Sequence, residues 1–200
     1  MFPHTTPDGC LVNLYGRAVG TAAQVPKAKR HDHLPGEKGY LNAAALHGGT
    51  GPLWVCEGAF DALALLAAGC TRVVAIFGVH GWRWDWVRQV RALVFALDAD
   101  AAGQQQWRQL AREAALRGKR VQVLPAAAYG GCKDVSEAWA AGVLAVGAGS
   151  ASVGAEALGM PEALREGWAE RVAIMVADGG MPPADAERLA WEGLLHTAEP

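Results

Sequence analysis

Between Leu53 and Leu124 short apolar runs alternate with stretches of helical spacing, and this alternation restricts the fold more than any other feature of the chain. The runs are Leu53-Trp54-Val55-Cys56, Val73 to Phe77, Leu93-Val94-Phe95-Ala96-Leu97 and Val121-Gln122-Val123-Leu124. Each is only four or five residues long and largely apolar at successive positions, which predicts strands buried on both faces. Between them lie Phe60 to Ala68, stopped by Gly69, and Ala101 to Arg117, stopped by Gly118. Both have helical character and end on the residue type that accepts a left-handed cap. Trp84 to Arg91 reads as a further helix. Strands separated by helices must run parallel, since a parallel pair needs a long crossover. The expected class is α/β: about four mainly parallel strands flanked by helices.

The flanks have a different texture. Residues 1–50 are loop-rich, with one expected strand, Cys10 to Tyr15, after the turn signal Pro7-Asp8-Gly9. A polar basic run from Lys27 to His33 reads as a loop, and Gly48-Gly49-Thr50-Gly51-Pro52 marks a boundary. Residues 134–142 suggest a short helix, and 143–158 are rich in Gly, Ala and Ser, as in a flexible linker. Pro161 to Ala177 and Pro183 to Leu195 read as a C-terminal helical hairpin, each helix with proline near its start. The expected division is therefore 1–50 as a small N-terminal α+β segment, 51–142 as the α/β domain, 143–159 as linker and 160–200 as hairpin.

Composition excludes several classes. With 52 % hydrophobic and 19 % charged residues the chain can bury a core, so wholesale disorder is ruled out. Its longest apolar stretches fall far short of the roughly 20 residues a membrane-spanning helix needs. The first fifteen residues hold Asp8 and Asn13 and lack a cationic start, unlike a secretory signal. Cys10, Cys56, Cys70 and Cys132 form no C-x-x-C pair, so free thiols in a reducing cytoplasm are the simplest reading. Residues 1–133 carry 15 Lys and Arg against 9 Asp and Glu, a net +6, while 134–200 carry 3 against 11, a net −8. A basic body suits a polyanion and an acidic tail suits a protein partner, although two ordinary solvated surfaces would look the same.

Chemistry in an open α/β sheet gathers at the carboxyl ends of the strands, and two strands here end in acids. The first runs into Glu57-Gly58, with Asp61 in the following helix; the third runs into Asp98-Ala99-Asp100. Taken singly, a Glu-Gly after a strand is usually a turn, an Asp-x-Asp is weak, and Asp61 could merely favour a helix N-terminus. Together they form a set of oxygen ligands without a nearby thiolate or imidazole. Packed carboxylates repel unless a cation neutralises them, and such a donor set suits Mg²⁺, or Mn²⁺ in its place. The reaction class this permits is phosphoryl or nucleotidyl transfer.

Glu57-Gly58-Ala59-Phe60-Asp61 followed by Asp98-Ala99-Asp100-Ala101-Ala102-Gly103 resembles the Toprim domain of bacterial-type primases, topoisomerases and several nucleases. The Asp-x-Asp-x-Ala-Gly form is similar to the DnaG-type primases. Pro7-Asp8-Gly9, Tyr15-Gly16-Arg17, Pro26-Lys27 and Lys38-Gly39-Tyr40-Leu41-Asn42 follow the order of the primase segment that precedes Toprim. Gly78 stands where such primases keep a glycine turn near the site, and Lys133-Asp134 where they carry an Asp-Pro-Asp motif. The resemblance implies a Mg²⁺-dependent core that makes short RNA primers from NTPs on single-stranded DNA. It places Glu57, Asp98 and Asp100 as catalytic metal ligands, with Asp61 and Asp134 assisting. It places Arg17, Lys27, Gly58 and Gly78 at the nucleotide or template. It also implies a partner, either a replicative helicase or a separate zinc-binding module for template recognition. The chain departs from the family pattern at Ala28, where a tyrosine is usual, and at Val135-Ser136, where the second acid of the last motif is missing. A Toprim nuclease and a non-catalytic nucleotide- or DNA-binding module are the alternatives. A topoisomerase would need a nucleophile among Tyr15, Tyr40 and Tyr129, with no DNA-gate domain around them.

Other residues invite weaker readings. Trp82, Trp84 and Trp86 could stack on bases, but packing beneath a helix start is favoured. Arg88 and Arg91 would share a helix face with Trp84. Lys27, Lys29 and Arg30 suit phosphate contact or a plain solvated loop equally. His31-x-His33 offers two imidazoles and no third metal ligand.

Overall fold

The computed structural model describes residues 1–20, 23–49, 51–98, 101–146, 151–152, 162–183, 185–187 and 189–190. Its centre is a parallel sheet of β4 (Leu53–Cys56), β5 (Val73–Ala75), β6 (Ala92–Phe95) and β7 (Arg120–Val123), in the order β5-β4-β6-β7. Val55 pairs with Val74 on one side and Phe95 on the other, and Phe95 pairs with Val123. A two-residue strand at Ala151–Ser152, β8, adds antiparallel to β7.

These strands are buried on both faces, as their uninterrupted apolar runs require. Successive side chains alternate between two cores. Leu53, Val55, Val74, Leu93 and Phe95 face one core, closed by Leu110, Ala111 and Ala114 of α2 (Ala101–Leu116) and by Tyr40 and Leu46. Cys56, Val73, Ala75 and Ala96 face the other, closed by Ala62 and Leu65 of α1 (Ala59–Ala67) and Val135 and Ala138 of α3 (Val135–Ala140).

The N-terminal segment holds more strand than its sequence suggested. β1 (Phe2–Thr5), β2 (Leu11–Arg17) and β3 (His31–His33) form an antiparallel sheet, with Tyr15 paired to Phe2 on one side and His33 on the other. The basic run expected as a loop is a short 3₁₀ turn at Lys27–Lys29 followed by β3. Nothing apolar marks β3, because backbone pairing to β2 holds it in place of burial. The segment Gly39-Tyr40-Leu41 stitches the two sheets together. Thr5 and Tyr40 exchange backbone hydrogen bonds at 2.9 and 3.0 Å, and the Leu41 amide donates to Ala75 at 3.0 Å. The approach is so close that a Cβ at Gly39 would run into the Thr5 carbonyl.

Two further expectations are corrected. Trp84 to Arg91 is a series of turns, not a helix. Val87 and Val90 are buried as helical spacing would place them, but the buried Lys119 amine draws the chain into another path. It donates to the carbonyls of Val87 (2.7 Å), Arg88 (3.2 Å) and Val90 (2.7 Å). Arg88 and Arg91 therefore share no helix face; both are exposed. The expected linker is also partly docked. Leu144 and Val146 pack on the α1–α3 core, and the Ala145 amide donates to Ala128. Residues 147–150 and 153–161 lie outside the described residues.

At the C-terminus α4 (Glu162–Ala177) is followed by helical residues between 183 and 190, with the Trp168 indole donating to the Glu187 carbonyl at 3.2 Å. The end of the expected second helix, residues 191–195, lies outside the described residues. No helix among them is long and apolar enough to cross a membrane.

Candidate active site

The strand order decides where a ligand can sit. From β4 the chain crosses through α1 to β5 on one side, whereas from β6 it crosses through α2 to β7 on the other. The crossovers diverge between β4 and β6, and a crevice opens there at the carboxyl ends of the strands. Glu57 follows β4 directly and Asp98 lies just past β6, so topology brings both to the same end of the sheet. A cleft of about 280 Å³ lies there, and Glu57, Gly58, Asp61, Asp98 and Asp134 all line it.

The acids are held differently. Asp61 is 8 % exposed. One of its oxygens accepts the Gly58 amide at 3.2 Å and the other the Ser136 amide at 2.9 Å. Its carboxylate thus ties the start of α1 to the start of α3. Burial pushes its pKa up to about 6, opposed by the Ser136 amide and reinforced by the Asp134 and Asp98 charges. Asp134 caps α3, accepting the Glu137 amide at 2.8 Å and the Ser136 hydroxyl at 2.9 Å, with Lys133 Nζ 3.2 Å away. Burial works against its charge, but these partners hold its carboxyl below the usual range. The Cys56 thiol is fully buried and pushed well up by burial and then by Asp61, Glu57 and Asp98, so it is no nucleophile.

Gly78 is where the backbone leaves the sheet. Phe77 (φ 53°) and Gly78 (φ 95°) are both left-handed, and the Phe77 amide donates to the Glu57 carbonyl at 2.9 Å. The bend turns the Phe77 ring onto His4, with centroids 3.8 Å apart. The N-terminal sheet contributes to the same cleft, with Tyr15, Arg17, His31 and His33 in its lining. The Arg17 guanidinium lies 5.0 Å over the Phe60 ring.

The structure thus brings Glu57, Gly58, Asp61, Asp98, Asp134, Arg17 and Gly78 around one cleft. Asp100 lies outside the described residues, and of Lys27 only the backbone is described, in the 3₁₀ turn. Among the described residues no three His, Cys, Asp or Glu side chains gather closely enough to form a metal site. The donors nevertheless suit a hard cation. They are carboxylates, and their combined charge is felt at Asp61, Cys56 and Tyr129 alike.

The tryptophans pack as favoured, but on a series of turns in place of a helix start. Trp82 and Trp86 lie against Tyr40, with centroids 6.3 and 4.9 Å away, and Trp84 carries the Arg117 guanidinium at 4.2 Å. Sequence reasoning passed over His4, Ser136 and Phe77. Arg17 had already marked that part of the cleft, and the spacing of His31 and His33, two apart as on one face of a strand, was a second signal.

Residues 52–142 match the Toprim domain family. Comparison with curated proteins gives no match. Among solved structures, the E. coli primase catalytic core superposes with a TM-score of 0.56 at 16 % identity, covering 98 % of this chain and 68 % of that one. The Aquifex aeolicus primase, with its zinc-binding and RNA polymerase domains, gives 0.53 at 18 %, covering 98 % and 50 %. The primase fragment of the bacteriophage T7 primase-helicase gives 0.50 at 24 %, covering 70 % and 56 %. The chain thus spans about half the length of the T7 and Aquifex structures. Residues 52–142 are thus similar to the Toprim domain, and the chain as a whole has the fold of the DnaG-type primase catalytic cores.

Proposed function

We propose that the chain is a primase-like nucleotidyltransferase core that joins nucleoside triphosphates on a single-stranded DNA template, with Mg²⁺ or Mn²⁺ at Glu57, Asp98 and Asp100. The observation that carries this is the meeting in one cleft of carboxylates at the switch point with Arg17 and the imidazoles of the N-terminal sheet. That arrangement suits a nucleotide triphosphate bound between a cation and donor side chains. A divalent ion held by these acids would neutralise charge developing on the phosphates. Asp61, with both oxygens on backbone amides, positions the loops that bear Glu57 and Asp134. Asp134 lines the same cleft, its lysine partner beside it. Arg17 and Lys27 hold phosphate or template, and Gly58 and Gly78 let the backbone approach the ligand.

In this reading 1–50 is the primase-like segment, 51–142 the catalytic Toprim unit, 143–159 a connection and 160–200 a docking hairpin. A structural relative, the DnaG catalytic domain, is known bound to single-stranded DNA, and the T7 protein is a primase-helicase. By analogy the chain works in the cytoplasm with single-stranded DNA and NTPs, beside a helicase or a separate zinc-binding module. The test is incorporation of labelled NTPs with Mg²⁺ or Mn²⁺ on a single-stranded template. Short oligomers are expected, and Asp98→Asn should abolish them. Template cleavage would instead mark a nuclease, and ion binding with neither product a non-catalytic module.

A further inference from the structure

The acids leave the opposite wall of the cleft unexplained. His31 and His33 stand two apart on β3, so both project from one face, and both line the cleft. Each ring is anchored through Nδ1, but to partners of opposite kind. His4, with no exposed surface, places Nδ1 3.2 Å from the Gly39 carbonyl and Nε2 3.3 Å from His33 Nδ1. A carbonyl can only accept, so the His4 proton is on Nδ1 and its Nε2 is an acceptor. His33 Nδ1 must then donate, and a neutral imidazole carries one proton, so His33 Nε2 presents a lone pair.

His31 is set the other way. Its Nδ1 lies 2.6 Å from Tyr15 Oη, and that oxygen takes a hydrogen bond from Arg17. With the guanidinium donating to that oxygen, the hydroxyl's own proton is free for His31 Nδ1, and this pairing puts the His31 proton on Nε2. One strand face thus offers a lone pair and an N–H side by side.

Both rings are neutral at pH 7. Burial lowers each pKa. Lys38 and His31 add to this at His33 while Asp32 opposes it, and Arg17, Arg30 and Lys133 add to it at His31. Glu57, Asp61, Asp98 and Asp134 line the same cleft. Behind them His4, stacked on Phe77, is lowered to about 4, so it stays neutral and keeps its acceptor turned to His33.

We propose that His33 is the general base of this cleft, taking the proton of the attacking hydroxyl through Nε2, with His4 and the Gly39 carbonyl as positioning groups. This rests on the nucleotidyl-transfer reading above. In the step, the hydroxyl proton passes to His33 Nε2 as the hydroxyl oxygen bonds to the α-phosphorus. The bond from that phosphorus to the bridging oxygen breaks, and its electron pair leaves on pyrophosphate. His33 then gives its proton to water. His31, donor-only, serves phosphate oxygens and not the hydroxyl.

Two measurements on the whole chain test this. Long-range ¹H–¹⁵N spectra of the histidine rings at pH 7.5 should show His33 protonated at Nδ1 and His31 at Nε2, and His4→Asn should release the His33 tautomer. In the incorporation assay His33→Ala should lower kcat about 100-fold or more with the nucleotide KM within about threefold, and should flatten the acidic limb of the pH profile. His31→Ala should raise KM and keep that limb. An Nε2-protonated His33, or a His33→Ala variant with near-normal kcat, overturns the proposal. Correct tautomers in a wild-type chain that makes no oligomer overturn it too, and show that the nucleotidyl-transfer reading was the part that failed.

Discussion

His4 shows how much a single residue can decide. It is a fully buried imidazole whose two nitrogens are both committed, and its folded pKa of about 4 lies below the ordinary 6.5. A depressed value means that the unfolded chain binds the proton more readily. The stabilisation is present above pH 6.5 and is lost as pH falls toward 4, by about 3 kcal/mol. Asp61 runs the opposite way. Its folded pKa is raised from 3.8 to about 6, so its contribution is greatest below pH 4 and gone above pH 6. Comparison with His4→Asn separates the two. On going from pH 7 to pH 4 in urea unfolding, wild type should lose about 3 kcal/mol more than the variant. Asp61→Ala should cost about 1–3 kcal/mol at neutral pH, since it leaves two part-buried amides without their acceptor. Neither role was legible beforehand. The Glu57-to-Asp61 and Asp98-to-Asp100 spacings pointed to the cleft, but only the fold shows that Asp61 spends both oxygens on backbone amides. His4 lies three residues before a proline turn signal and has no periodic neighbours to announce burial.

At the scale of elements, the strands of the central sheet were readable because burial on both faces leaves no room for polar residues. Val73-Val74-Ala75 could hardly be anything else. β3 was not, since His31-Asp32-His33 is a strand by backbone pairing alone. The turns from Trp84 to Arg91 misled for another reason. Their valines sit at helical spacing, but Lys119, about thirty residues away, takes three of their carbonyls. Lys119→Met should therefore destabilise the fold by roughly 2–4 kcal/mol, because the carbonyls lose a charged donor and stay buried. Circular dichroism and denaturant melts would show it. An unchanged midpoint would mean that water replaces the amine at no cost.

For the whole molecule, the proposed function depends on two sheets being held as one body. The acids come from the parallel sheet, the imidazoles and Arg17 from the antiparallel one, and Gly39-Tyr40-Leu41 joins them. Gly39→Val should separate the walls, since its side chain would displace the Thr5 carbonyl. Nucleotide affinity should fall more than divalent-ion affinity, which titrations with each ligand would resolve. The topology was legible in outline from the strand–helix alternation. The order β5-β4-β6-β7, which places Glu57 and Asp98 at the divergence of the crossovers, was not, because nothing local to either strand encodes its neighbour.

The central claim is that these acids hold a divalent cation, and Mn²⁺ titration followed by electron paramagnetic resonance tests it without any turnover. The account predicts saturable binding by the wild-type chain that disappears in Glu57→Gln/Asp98→Asn while the melting temperature is kept. Equal binding by the double variant, or no binding by the wild type, would contradict it.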